Sequence, residues 1–244
     1  MNIVAIIQAR MSSHRLPGKV MKMTQGKTVL RHVIERVASC NKINDIVVAT
    51  TKNSDDDIIS NESFHAEAKV YRGSLDNVLD RYYHAAQLAK ADIIVRITSD
   101  CPLIDPDVVS QLIDHFINHP NKDIHYVRGN GFPIGVNAEV FTFDALERSW
   151  HEASIDYEFE HVTPYIYNHP ELFTIDFLDN IEDLSRLRLT LDTPEDWQLI
   201  DTLYERLNTG LNKFISLNEI LELLTKEPEL ININRHIKQK TLGE

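Results

Sequence analysis

Ile3-Val4-Ala5-Ile6-Ile7 runs directly into Gln8-Ala9-Arg10-Met11-Ser12-Ser13-His14-Arg15-Leu16-Pro17-Gly18-Lys19. The five apolar residues read as a buried strand. A basic loop with Ser and Gly follows, and then Val29, Leu30, Val33, Ile34 and Val37 mark a helix over 29–39. Strand, basic loop and helix in that order commonly build a phosphate site. The first 34 residues hold six Lys/Arg and no Asp or Glu, in a chain of 244 residues with formal net charge -12. The remaining residues carry 19 basic and 37 acidic side chains. An acidic protein that keeps carboxylates out of one loop is expected to bring an anion there.

Working outward, the same alternation recurs. Strands are expected at 45–50, 69–71 and 92–98, and helices at 74–89, with Ser74 as N-cap, and at 106–118, with Pro near its start. The acidic stretch 54–58 starts a short helix. Nearly uniform apolar strands between helices indicate an α/β fold around a mainly parallel sheet. Ligands of such sheets bind beyond the C-terminal strand ends, where the loops starting at Gln8, Thr50 and Ser99 fall. In the second half, strands are expected at 138–143, 173–178 and 188–191. Helices are expected at 144–152, at 194–207 capped by Thr193, and, more weakly, at 216–223. No linker or repeat interrupts the chain. It reads as one domain, 1–244, with an inserted substrate or partner region around 125–180 and a loosely ordered tail after Pro228.

Composition excludes several classes. No apolar run nears the roughly 20 residues that span a bilayer, and the N-terminus lacks a signal-peptide pattern. Two cysteines, Cys40 and Cys101, make no disulfide framework and suggest free thiols in a reducing cytoplasm. The acidity argues against a nucleic-acid partner. Gly26-Lys27-Thr28 imitates the end of a Walker A loop, but Met21 stands where the first Gly is required, so this is a turn and helix cap.

Three constellations carry chemistry. In the basic loop Arg10, Arg15 and Lys19 suit a triphosphate, with loop amides, Ser12 and Ser13 adding hydrogen bonds; a solvated loop with incidental charge is the plainer alternative. In Arg96-Ile97-Thr98-Ser99-Asp100-Cys101-Pro102 a strand ends at Asp100, a carboxylate suited to Mg²⁺, or simply a turn cap before Pro106. In Leu191-Asp192-Thr193-Pro194-Glu195-Asp196, Thr193 to Glu195 are ordinary helix-start residues. Asp192 lies outside that explanation and is expected to reach the same metal as Asp100.

The order of these blocks resembles the cytidylyltransferases that activate acidic sugars, such as the acylneuraminate and 3-deoxy-manno-octulosonate enzymes. Gln8-Ala9-Arg10 with Ser12, Arg72-Gly73-Ser74 with Val78-Leu79-Asp80-Arg81-Tyr82, and Glu160-His161-Val162-Thr163-Pro164-Tyr165-Ile166 resemble the branch of spore coat polysaccharide biosynthesis protein F. The resemblance covers roughly residues 1–205. Gln8 and Ser12 depart from the Pro and Gly usual in the sugar-acid enzymes, which bears on the sugar more than on the nucleotide chemistry.

The resemblance implies a Rossmann-like nucleotidyltransferase fold, CTP, Mg²⁺, release of pyrophosphate, and a homodimer made through the inserted region. It implies Arg10, Arg15, Lys19 and Asp100 as catalytic residues, and Asp100 and Asp192 as metal ligands. The nucleotide would contact Gln8, Ala9, Arg10, Ser13, Arg15, Lys19, Thr50, Ser74 and Thr98. The sugar or sugar-acid acceptor would contact Arg128, Asn137, Glu139, Glu160 and His161. His161 reads equally as a half-buried structural histidine, and Tyr165 and Tyr167 as packing. Two other functions stay open on the residues alone. One is a nucleotide-sugar glycosyltransferase, whose Asp-x-Asp pair finds a match in Asp55-Asp56-Asp57. The other is a non-catalytic nucleotide-binding protein.

Overall fold

Period-two burial along the strands sets the layers. In β1 (Ile3–Gln8), Ile3, Ala5 and Ile7 enter one apolar cluster, while Val4 and Ile6 enter a second on the opposite face. The computed structural model describes residues 1–207 and 214–239. Its central sheet has seven strands: β1, β4 (Asp45–Thr51), β5 (Lys69–Gly73), β6 (Ile93–Thr98), β7 (Ile124–Asn130), β8 (Glu139–Thr142) and β9 (Thr174–Asp179). Their spatial order is β5-β4-β1-β6-β8-β7-β9. Only β8 runs antiparallel to its neighbours, so the sheet is mostly parallel, as the uniform apolar runs imply.

The first cluster is covered by α1 (Val29–Ala38), α2 (Asp57–His65), α4 (Pro106–Ile117), α8 (Pro194–Leu207) and α9 (Leu217–Lys226). The second is covered by α3 (Val78–Ala89), α5 (Phe143–Glu152), α6 (Asp156–His161) and α7 (Pro164–Asn168). A two-stranded hairpin, β2 (Met23–Thr24) with β3 (Lys27–Thr28), precedes α1. Thr28 caps α1 by accepting the Arg31 N–H at 3.0 Å, so Gly26-Lys27-Thr28 is a turn and cap.

From β1 the chain first adds β4 and β5 on one side, then crosses to β6 on the other. The β1/β6 boundary is therefore the switch point where α/β sheets bind ligands. The ladder closes tightly there: Ser99 N donates to Gln8 O at 3.1 Å, and Ala9 N to Ala49 O at 3.2 Å.

The segment around 125–180 contributes β7, β8 and β9 to the central sheet. Several element expectations are corrected. Strand β7 was not anticipated: its buried Ile124, Tyr126 and Val127 break alternation beside exposed Arg128 and Asn130. Residues 188–191 do not join the sheet. They bridge two loops, with Leu189 N bonded to Ile134 O at 2.7 Å and Leu191 N to Asp100 O at 2.8 Å, and burial in the core accounts for the apolar Leu189 and Leu191. Helix α3 starts at Val78 with Asn77 as N-cap, accepting from Asp80 N at 2.8 Å; Ser74 forms a preceding turn. The tail from Pro228 is ordered through residue 239: Pro228–Ile233 is a 3-10 helix with Leu230 buried, and Asn234 is buried after it. Residues 240–244 of that tail lie outside the described residues.

Candidate active site

The loop after β1 is held by its own backbone. Met11 O accepts from Ser13 N at 2.9 Å and Gly18 N at 3.0 Å, and Gly18 takes a left-handed φ of 68° that an L side chain resists. From below, buried Asp56 accepts the Met11 N–H at 2.7 Å and the Thr51 hydroxyl. Asp57 pairs with Arg72. The Asp55-Asp56-Asp57 run is therefore structural in its last two members and offers no glycosyltransferase metal pair.

This anchoring aims Lys19 at two acids from distant parts of the chain. Its Nζ donates to Asp100 Oδ2 at 2.7 Å and to Asp192 Oδ1 at 2.8 Å. Arg15 reaches Asp192 Oδ2 at 2.9 Å. Burial disfavours a charged Lys19, but the two carboxylates outweigh it and raise its pKa. Burial likewise opposes a charged Asp100, and Lys19 reverses the balance, holding the carboxyl below its usual range. Cys101 lies beside them, its thiol pushed up to about 12 by burial and then by Asp100, so it stays protonated.

Asp192 is positioned from behind. Buried Arg188 donates to Asp192 Oδ2 at 2.8 Å and to both oxygens of Asp196, at 2.8 and 3.0 Å. Asp196 also accepts from Asp192 N at 2.9 Å, Thr193 N at 3.0 Å and Asn234 Nδ2 at 2.9 Å. Thr193 does cap α8, accepting from Asp196 N at 3.3 Å. Gly135 lies against this segment with φ 96°; a Cβ there would stand 2.6 Å from Leu189 C and Thr190 N.

These residues open on a cavity of about 490 Å³ at the switch point. Gln8, Ala9, Arg10, Ser13, Arg15, Lys19, Thr98, Asp100, Asp192, Asn137, Glu160 and His161 all line it. Arg10 pairs weakly with Glu160, at 3.8 Å. Asn137 lines it while clamping Gly129, accepting its N–H at 3.0 Å and donating to its carbonyl at 2.6 Å. Burial lowers the His161 pKa, favouring a neutral imidazole.

Four expected residues are not on its wall. Thr50 is fully buried inside β4. Ser74 is exposed, its carbonyl taken by Arg81. Arg128 is exposed on β7, its guanidinium 5.5 Å from the Phe177 ring. Glu139 is spent on a 2.6 Å ion pair with Arg96, a 3.0 Å bond from Thr163 Oγ1 and a bond from Tyr126.

Other wall residues escaped the sequence. Arg81 and Arg96 line the cavity, and the Nε–H of each is buried without a partner among the described residues. Both stand within the sequence blocks quoted above, but neither is assigned a site role there. With them the wall presents Arg10, Arg15, Lys19, Arg81 and Arg96 against Asp100, Asp192 and Glu160, an excess of positive charge suited to anionic ligands.

A sequence profile described as cytidylyltransferase matches residues 4–228. The protein MJ1063 of Methanocaldococcus jannaschii is 37% identical, covering 100% of this chain and 99% of its own. The spore coat polysaccharide biosynthesis protein SpsF of Bacillus subtilis is 36% identical, covering 93% and 96%. A solved cytidylyltransferase structure from Leptospira borgpetersenii superposes with a TM-score of 0.89 at 32% identity, covering 99% of this chain and 100% of that one. The chain belongs to the cytidylyltransferase family and is a CTP-dependent nucleotidyltransferase.

Proposed function

We propose that the chain transfers CMP from Mg²⁺·CTP to a hydroxyl of a sugar or sugar acid, with release of pyrophosphate, during synthesis of a surface polysaccharide or glycoconjugate. The observation that carries this reading is one ammonium, Lys19, bridging Asp100 and Asp192 at the cavity wall. An ammonium between two carboxylates stands where a divalent cation would find oxygen donors. The donor set is hard, and the adjacent Cys101 thiol is protonated and so no soft competitor. That chemistry fits Mg²⁺, which binds through one or two carboxylates together with phosphate oxygens. When bound, the ion supplies charge neutralisation at the α-phosphate.

The chain's own residues do the rest. Arg10, Arg15 and Lys19 hold the triphosphate and balance charge on the departing pyrophosphate. Phosphoryl-type transfer needs mainly such positioning and electrostatic support. Lys19 keeps the two carboxylates in place until phosphate oxygens compete for it. An acceptor hydroxyl then attacks the α-phosphorus in line. Arg81, Arg96, Asn137, Glu160 and the neutral His161 remain for the acceptor side. Arg96 is already paired with Glu139, so Arg81 is the cation left there for an anionic acceptor; SpsF, by its name, serves spore coat polysaccharide synthesis. We also propose a homodimer through β9, an edge strand carrying exposed Phe177 and followed by exposed Ile181.

Purified protein screened with the four nucleoside triphosphates and a panel of sugars and sugar acids tests the reading. Mass spectrometry should find a CMP-sugar and pyrophosphate with CTP. Turnover only with another nucleotide, or Mg²⁺·CTP binding with no product from any acceptor, refutes it.

A further inference from the structure

Away from the cavity, His115, His119 and Asp176 converge. His115 lies in the last turn of α4, His119 just beyond its end, and Asp176 on the edge strand β9. The i, i+4 spacing sets both imidazoles on one side of the helix end. Both aim Nε2 at the same oxygen: His115 lies 2.7 Å and His119 3.1 Å from Asp176 Oδ2. The three ligand atoms lie within 4.8 Å of one another. None of the three residues lines the nucleotide cavity.

We propose that this triad is a structural site for a borderline transition metal, Zn²⁺ foremost, which fastens the end of α4 to β9. Two neutral imidazoles and a carboxylate are a donor set that Zn²⁺ takes with a fourth water ligand. Ligand atoms around tetrahedral Zn²⁺ stand about 3.3 Å apart, given bonds of about 2.0–2.2 Å. The observed 2.7 and 3.1 Å separations would have to open by about 0.6 and 0.2 Å, within the reach of side-chain rotation.

Three further observations agree. His119 Nδ1 lies 3.0 Å from the Asn121 carbonyl, the hydrogen bond that would leave Nε2 free to ligate. The Asn121 N–H also approaches that nitrogen, at 3.2 Å, so metal binding would select between two tautomers. Among the described residues no Lys or Arg pairs with Asp176 to compete with a cation. The side chains are 30%, 14% and 37% exposed, which leaves an entry path and room for a water ligand. The effect would be mechanical: within one chain, and among the described residues, β9 has one sheet neighbour, β7, and the metal would fasten it to α4 as well, independently of any partner strand at its free edge.

The test uses the full chain, stripped with a chelator and then titrated with Zn²⁺ in excess Mg²⁺, so that Asp100 and Asp192 are not open to it. Calorimetry should give one Zn²⁺ per chain, and Tm should rise with it. Co²⁺ should show the absorption bands of a tetrahedral site. Asp176→Asn and His115→Gln should each weaken Zn²⁺ at least about tenfold and remove the Co²⁺ bands, while Asp100→Asn should leave both unchanged. No Zn²⁺ uptake by the parent protein, or uptake that survives intact in Asp176→Asn and His115→Gln, overturns the proposal. Circular dichroism identifies any variant that fails to fold, and the parent stoichiometry then still decides.

Discussion

Replacing Arg188 with Met removes the support behind Asp192 without touching the cavity-facing cations. Arg188 is 5% exposed and Asp196 fully buried, so the change strands a carboxylate in low dielectric. Breaking such a pair typically costs about 3–5 kcal/mol. Asp196 keeps N–H donors from Asp192, Thr193 and Asn234, and Asp192 keeps Lys19 and Arg15. The cost should therefore fall at the lower end, about 3 kcal/mol. For a chain of this size that corresponds to a Tm loss of about 6–12 °C.

The deficit should depend on pH in a definite direction. Burial opposes a charged Asp196, but Arg188 and Asn234 outweigh it and depress its folded pKa. In the parent protein this stabilisation is present above the unfolded carboxyl pKa, about 3.9, and is lost as pH falls through the depressed folded value. Without Arg188, burial drives Asp196 to take up a proton instead. The Tm gap between parent and Arg188→Met should thus be full at neutral pH and narrow as the solution is acidified. Arg188→Met combined with Asp196→Asn should lose less than the two single changes added together, because the residues share one network. Scanning calorimetry across pH checks all three statements. A neutral-pH Tm within about 2 °C of the parent, or a gap that widens in acid, would refute the reasoning.

The remaining predictions concern the same wall. Lys19→Met should lower kcat for pyrophosphate release by about 10²–10³ at saturating CTP, the size of effect seen when one transition-state charge donor is lost; an unchanged kcat removes Lys19 from the reaction. Gly135→Ala should destabilise by about 2–4 kcal/mol, from a positive φ combined with backbone overlap at Leu189 and Thr190, and an unchanged urea midpoint contradicts it. Cys101 should resist thiol reagents in the native state at mildly alkaline pH, since its pKa is pushed up to about 12. Rapid labelling of that residue without unfolding would show the site to be more open.

What the sequence made legible follows from local physics. Residues 3–7, 47–49 and 93–95 are buried on both faces, so their apolar runs announce parallel strands, and the loops after β1 and β6 line the cavity. Lys19 is singled out by its charge in a carboxylate-free loop, Asp100 by its place at a strand end and by the resemblance, and Asp192 because the helix start after it does not explain it. Arg188 and Asp196 could not: one stood in an apolar run, the other in a helix's first turn, where acids are routine. Their partnership, with Asn234 behind, exists only after the tail folds back onto α8. Glu139 and Arg128 were placed on the acceptor side by the resemblance, and no local sequence feature reveals their partners. In the fold, one carboxylate is consumed by Arg96, and the other side chain stacks outside the cavity. Ser74 lost its cap role to Asn77 because the apolar phase of α3, beginning at Val78 and Leu79, decides where the helix can start.

The most direct measurement is CTP-dependent pyrophosphate release by Asp100→Asn and Asp192→Asn, with a competent acceptor and across a range of Mg²⁺. If both acids serve one metal-assisted transfer, each variant should lose activity by about a hundredfold or more and require more Mg²⁺ for what remains. Near-parent turnover at the parent's Mg²⁺ requirement in either variant would contradict the account.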